Sequence, residues 1–296
     1  MDSLAFRWGY YDEPVGRDAL SRLVREVFGL DFGPWSALGC AGTYTPFSWW
    51  EGDRVVANVS ASPMSLRVLG RPVEAIQVGT VAVAPSHRSR GLVRGLLERA
   101  HAHWAPTHDR WYLFAAPDAA ALYERFGYRP LAETSWELPL AERPEARPAP
   151  RAGARLLDLA RATDRDLVVR LGGERAPVSA RVGVVDHAWL LSFYAAVAYP
   201  QGLLYVEPLD ALALLRADGA RLHLADVVGP RTVTLAELLP YLPLGAAEAV
   251  SFGFVPDLLE LPGAPTTAVL HDGLHVRGPW VELEGRPLRF PETAQA

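Results

Sequence analysis

The sequence predicts an α/β layer fold built in two parts, and three observations carry that expectation. Strand-like runs precede and flank a strand–helix–strand unit at residues 72–116. The stretch AERPEARPAPRAGA, residues 141–154, is rich in proline, alanine and charge, lacks an apolar period and reads as a linker. The order of elements after it resembles the order before it, although no motif repeats. A chain of 296 residues also suits two cores better than one. The expected division is residues 1–142, a linker at 143–152 and residues 153–296.

The elements follow in order. In DALSRLVREVFG, residues 18–29, Leu20, Leu23, Val24 and Phe28 fall at helical spacing, and Gly29 offers a left-handed cap. GPWSAL and TPFSWWEGD read as an irregular aromatic region. Residues 53–62 and 64–70 read as strands, with a turn at Gly70-Arg71-Pro72 and another strand at 72–83. A helix is expected from Gly91 to Trp104, a buried strand at 110–116, and a short helix at 118–127 with an aspartate start and a glycine stop. TSWELPL, residues 134–140, closes the first half as a strand. Beyond the linker, RATDRDLVVRL, DHAWLLSFYAAVA and TLAELLPYL look helical. GLLYVEP, ALALLRADGARLHLADVV and AEAVSFGFVPD look like strands, with a hairpin turn at Asp218-Gly219.

Composition narrows the function. Half of the residues are hydrophobic and 21% are charged, as in a globular protein. The net charge of −5 gives no reason to expect nucleic acid and suits a cationic substrate. Cys40 is the single cysteine, so a disulfide within the chain and a cysteine metal site are excluded. The N-terminus lacks a basic segment followed by an apolar one, and no apolar run is long enough for a bilayer. A soluble cytoplasmic protein, free of membrane, is expected. Oligomeric state is not legible, and a homo-oligomer stays open.

The strand at 72–83 changes parity. Ile76 and Val78 are apolar on even positions, Val81 and Val83 on odd ones. A one-residue slip inverts the faces, so an extra residue is expected at Gly79-Thr80 as a β-bulge. A bulge leaves backbone groups unpaired, and an extended ligand can take them. The loop SHRSRGLV, residues 86–93, follows. Gly91 lets backbone approach a ligand, the helix start supplies free N–H groups and a positive dipole end, and Arg88 and Arg90 add charge. Together these describe a phosphate site. A P-loop is excluded because the chain has no lysine, and a dinucleotide fingerprint fails on glycine spacing.

The pattern V-x-V-x-P-x-x-R-x-x-G-L resembles the acetyl-CoA signature of the GNAT N-acetyltransferases. GRPV before it and ALYERFGYRP after the next strand extend the resemblance over most of residues 1–140. HRSRGLVR is most similar to the Eis-type tandem proteins, which pair a GNAT domain with a degenerate GNAT-like one. The resemblance implies a mixed central sheet, acetyl-CoA as co-substrate and no metal. It implies that Val81 and Val83 hold the pantetheine arm, and that Arg88, Ser89, Arg90, Gly91, Leu92 and Val93 surround the pyrophosphate. Val93 departs from the family, where many members have Gly or Ala. The second half has no such loop after a strand and is expected to bind no cofactor. The chain is too short for the sterol-carrier-like third domain of the Eis type, so a role of the C-terminal carboxylate is not transferred to Ala296.

Acetyl transfer to an amine needs an acid for the departing thiolate. Tyr123, in the setting Y-x-x-F-G-Y, matches the family's acid tyrosine; a residue with pKa near 10 stays protonated until it donates. It also lies on an apolar helix face with Ala119, Leu122 and Phe126, which is equally a packing position. The amide of Val81 or a neighbour is the expected oxyanion donor at the bulge. The base is not identified: Glu74, Glu51 and Asp31 are candidates, and Gln77 cannot serve. The substrate pocket is sought among Phe28, Phe32, Trp35, Trp49 and Trp50, aromatics able to face a cation. His101 and His103 point about 200° apart on their helix, which opposes a shared metal. The expected acceptor is a small-molecule or peptide amine, and the alternative is an acyl-CoA sensor without turnover.

Overall fold

The computed structural model describes residues 4–39, 42–140, 148–270 and 273–295. Cys40, Ala296 and the first part of the expected linker, 141–147, lie outside the described residues. The first half runs β1 (Ala5–Trp8), α1 (Pro14–Phe28), α2 (Gly33–Ser36), β2 (Pro46–Glu51), β3 (Arg54–Val68), β4 (Arg71–Val83), α3 (Leu92–Trp104), β5 (Trp111–Phe114), α4 (Ala120–Glu124), β6 (Arg129–Pro130) and β7 (Glu133–Pro139). The second half runs β8 (Ala154–Leu156), α5 (Ala162–Glu174), β9 (Val182–Val185), α6 (Ala188–Phe193), β10 (Leu203–Val206), β11 (Ala211–Asp218), β12 (Arg221–Val228), α7 (Leu235–Leu238), β13 (Ala249–Phe252), β14 (Thr266–Leu270) and β15 (Leu274–Arg277).

Several of these follow from local chemistry. Helix α1 starts four residues before the expected stretch at 18–29, on Pro14 at the first helical position, where a missing N–H costs nothing. It stops at Gly29, whose φ of 69° lets its N–H bond the carbonyl of Arg25. The aromatic stretch taken as irregular is strand β2: Phe47 and Trp50 are buried, and the strand pairs with β3. The two strands expected at 53–70 are one, β3. Pro63 falls between its two partners on one side, β2 up to Ser60 and β9 from Ser65, where no ladder bond is lost.

Two mixed sheets result. The first is ordered β1-β2-β3-β4-β5-β15-β6, with β9 beside β3; the second is ordered β14-β7-β13-β12-β11-β10-β8. Each contains a parallel pair, β4 with β5 and β12 with β13. Helices α3 and α4 cover one face of the first sheet, with Leu97 of α3 packed among Val59, Ile76 and Trp111. Helices α1, α5 and α6 share a core with the inward faces of both sheets. Helix α7 covers the far face of the second. No helix among the described residues is long and apolar enough to cross a membrane.

The sheets cross the division expected at residues 143–152. Strand β7, before that point, pairs with β13 and β14 in the second sheet. Strand β15, from the end of the second half, enters the first sheet between β5 and β6. The exchange is reciprocal, because each strand occupies the same place in the other half's sheet. Neither β14 nor β15 was expected from the sequence.

Candidate active site

The bulge expected from the parity slip is present. Asn58 pairs with Ala82 and Ser60 with Gly79, so Thr80 and Val81 together oppose the single residue Val59. Thr80 has φ of 47°, a left-handed conformation that a β-branched residue adopts only when its surroundings hold it there. A buried polar network supplies that hold. The Asn58 side-chain amide donates to the Thr80 carbonyl at 2.8 Å and to Ser60 Oγ at 3.0 Å. Ser48 Oγ donates to Asn58 Oδ1 at 2.7 Å and shares a hydrogen bond with the Tyr10 hydroxyl, while Ser60 Oγ donates to Tyr44. Sequence reading missed Asn58. Its one signal was a run of small polar residues at alternate positions, 58, 60 and 62, in a strand otherwise fit for a core.

The bulge ends the pairing of β4 with β5. The two strands run side by side only at Ile76–Trp111, Gln77–Tyr112 and Val78–Leu113. Beyond Val78 they part, and residues 79–83 turn their β5-side backbone groups into the gap. Beyond the gap lies the loop. Ser89 (φ 61°) and Gly91 (φ 70°) are both left-handed, and such alternation turns successive N–H groups toward a common point. No side chain caps α3, and a Cβ at Gly91 would meet nothing within 4 Å. The first N–H groups of this 13-residue helix thus have no side-chain cap. Arg88 and Arg90 are exposed beside it, with Arg90 also donating to the Ser86 carbonyl at 3.0 Å. Trp49 Nε1 donates to the Leu92 carbonyl and fixes the first turn of α3 to β2.

A cavity of about 480 Å³ opens where the strands part. Val81, Val93, Leu113, Ala119, Leu122 and Tyr123 line its side toward α3 and α4. Val24, Phe28, Leu30, Phe32 and Phe193 line the opposite side. Val93, the departure from the family pattern, thus reaches the cavity wall and also packs against the core under α3. Tyr123 is buried, and burial pushes its pKa up to about 12, so its hydroxyl is protonated at neutral pH.

Of the five aromatics expected in the pocket, Phe28 and Phe32 line the cavity. Three do not, and the expectation is corrected for them. Trp35 is buried among Tyr11, Tyr44, Trp189 and Phe193 and donates Nε1 to the Trp189 carbonyl. Trp50 packs on Tyr10 beneath the Arg7 guanidinium, and Trp49 braces α3 as described. The physical reason for Trp49 and Trp50 is that TPFSWWEGD is a strand whose rings pack into core, and for Trp35 that the short helix α2 turns its ring into the core. Phe193 was missed because it comes from α6 in the second half, where no local signal tied it to this cleft.

The carboxylates considered as bases lie outside the cavity wall. Glu74 accepts from Ser65, Glu51 lies 3.3 Å from the buried His87 ring, and Asp31 accepts first from the Gly33 N–H and then from Arg25, which lowers its pKa. Among the described residues that line the cavity, none is Asp or Glu. His101 and His103 are packed apart. His101 meets the Tyr128 hydroxyl at 3.0 Å, and burial lowers its pKa to about 4, while His103 lies against Trp8.

Comparison with known proteins places this geometry. Residues 46–131, from β2 through β6, match the family model described as acetyltransferase (GNAT) domain. The matched segment includes the bulge, the loop and Tyr123. The fold is similar to a conserved protein of Enterococcus faecalis described as a probable N-acyltransferase, at 15% identity over 95% of this chain and 74% of that one, TM-score 0.61. It is similar to a GCN5-related N-acetyltransferase from Kribbella flavida, at 17% identity over 93% and 71%, TM-score 0.57. It is also similar to Eis1 from Mycobacterium abscessus, at 19% identity over 93% and 73%, TM-score 0.56. Sequence comparison with curated proteins finds no match.

Proposed function

We propose that the chain is an acetyl-CoA-dependent N-acetyltransferase that acts on a primary amine of a small molecule or peptide by direct attack in a ternary complex. One observation supports this most: the parted strands, the uncapped start of α3 and Tyr123 converge on a single cavity. Acetyl-CoA, when bound, supplies the thioester carbon. The residues fit such a group. Backbone of Val81 and Val83 is free on the β5 side to hold the pantetheine amides. Arg88, Ser89, Arg90, Gly91, Leu92 and Val93 surround the diphosphate, where each charge-assisted hydrogen bond contributes roughly 1.5–3 kcal/mol. The Val81 amide stabilises negative charge developing on the carbonyl oxygen. The neutral amine nitrogen bonds the acetyl carbon and releases a proton to solvent water, while the carbon–sulfur bond breaks and Tyr123 gives its proton to the departing sulfur. The second half holds no cofactor in this reading. It shapes the acceptor side of the cleft through Phe193, in the manner of a tandem GNAT protein.

Tyr123→Phe tests the assignment. Turnover falls at least tenfold while acetyl-CoA affinity stays within twofold; an unchanged rate removes Tyr123 from the mechanism. The rival reading, an acyl-CoA sensor, draws on the lack of a carboxylate in the described wall. Tight acetyl-CoA binding with no CoA released on any amine would favour it.

A further inference from the structure

The acceptor side of the cavity differs from what the net charge of the chain suggests. Phe28, Leu30, Phe32 and Phe193 form that wall, with Val24 behind them. Phe28 and Leu30 are 47% and 39% exposed, so two large apolar side chains stand open at the mouth of one cleft. Scattered exposed apolar residues need no explanation, but a pair flanking a cavity points to an apolar ligand. Phe28 also belongs by spacing to the buried stripe of α1, which otherwise packs into the core through Leu20, Leu23 and Val24. The chain leaves α1 at Gly29, and the stripe's last member faces the cleft instead.

From this wall, and on the reading that acetyl-CoA enters between β4 and β5, we infer that the acceptor is a monoamine carrying an aromatic or bulky aliphatic body, an arylalkylamine in chemical type, and not a polycation. Polyamines and aminoglycosides would bring further ammonium groups into the cleft. Each buried charge needs a partner, and the described wall offers Thr80 and Tyr123 but no carboxylate. A monoamine meets the opposite situation. Its body fills the phenylalanine-lined side, and its single ammonium is the group that must lose a proton before attack. Apolar surroundings disfavour the charged form of an amine. The same wall that selects the body thus lowers the cost of presenting the amine neutral, and a dedicated carboxylate base is less needed.

The test uses the full chain, acetyl-CoA, and three acceptors: 2-phenylethylamine, spermidine and kanamycin. Calorimetry with acetyl-CoA alone comes first. Absence of heat there defeats the cofactor reading itself, and this inference falls with it. Given binding, the expected kcat/KM for 2-phenylethylamine, measured by thiol release, is at least 100-fold that of either polycation. Equal or greater activity on spermidine or kanamycin overturns the inference. If no acceptor turns over, calorimetry of 2-phenylethylamine on the CoA-loaded protein decides it: saturable heat supports the inference, and no heat to tens of millimolar overturns it. Phe28→Ser supplies an independent reading because the exposed ring contributes little to folding. The KM for 2-phenylethylamine is expected to rise at least tenfold with the KM for acetyl-CoA unchanged. An unchanged amine KM overturns the placement of the body against Phe28.

Discussion

The two sheets contain the same local device put to opposite uses. In the first, β4 bulges at Thr80 and Val81 opposite β3, then parts from its parallel neighbour β5. In the second, β12 bulges at Ala225 opposite β11, between the pairs Leu214–Asp226 and Leu215–Leu224, and its parallel pairing with β13 ends at Leu224. Beyond the first bulge lies a cavity. Beyond the second lies protein: Asp226 forms a fully buried pair with Arg175 at 2.8 Å and accepts from Thr293, and the Glu292 N–H donates to the Gly253 carbonyl. The helices differ in the same sense. Helix α3 runs 13 residues from an uncapped start, whereas α7 has four residues and closes its own start with a Thr234–Glu237 capping box. A bulge creates unmet backbone groups in both places. What decides whether a ligand can meet them is whether the chain has already done so.

The comparison can be broken at its root by separating the halves. Residues 1–142 alone lack β15, which sits between β5 and β6. We expect this fragment to show no cooperative unfolding transition, and coexpressed residues 143–296 to restore one. A fragment that unfolds cooperatively alone would show that the strand exchange is dispensable. Next in size is Asp226→Ala, which leaves Arg175 charged and unpaired in the core. A loss of about 3–5 kcal/mol is expected in denaturant titration, with acetyl-CoA affinity within twofold of the parent at low temperature. The smallest effect concerns the cap of α7. Glu237 is held down to a pKa of about 2, first by the Arg231 guanidinium and then by the Thr234 N–H. A depressed carboxylate stabilises the fold above its unfolded pKa, so this contribution is lost as pH falls from about 4.5 toward about 2. Glu237→Gln should therefore show a smaller drop in Tm than the parent between pH 5 and pH 2.5.

The first half was more legible than the second, for physical reasons. The parity slip at 78–81 encodes the bulge because strand side chains alternate with a period of two, and Gly91 encodes the start of α3, which no side chain caps. Phe28 and Phe32, expected in a pocket by type, line the cavity. Trp49 and Trp50 lie outside the cavity wall because composition does not reveal which face of an unrecognised strand a ring occupies, and Trp35 because the short helix α2 turns its ring into the core. Asn58 and Phe193 act across 22 residues and across the halves, respectively, and contact at such distance leaves no local period. The exchange of β7 and β15 was invisible for the same reason. A strand's own pattern states that it is half-buried without naming the sheet that buries it.

The account rests on the first bulge and helix start being left for a ligand while the second pair is satisfied internally. A crystal structure of the chain grown with CoA tests this most directly. The account predicts one molecule per chain, its diphosphate within hydrogen-bond distance of the N–H groups of residues 89–93 and its pantetheine arm between β4 and β5. Density for CoA beside β12 and α7, or diphosphate bound away from the start of α3, would contradict it.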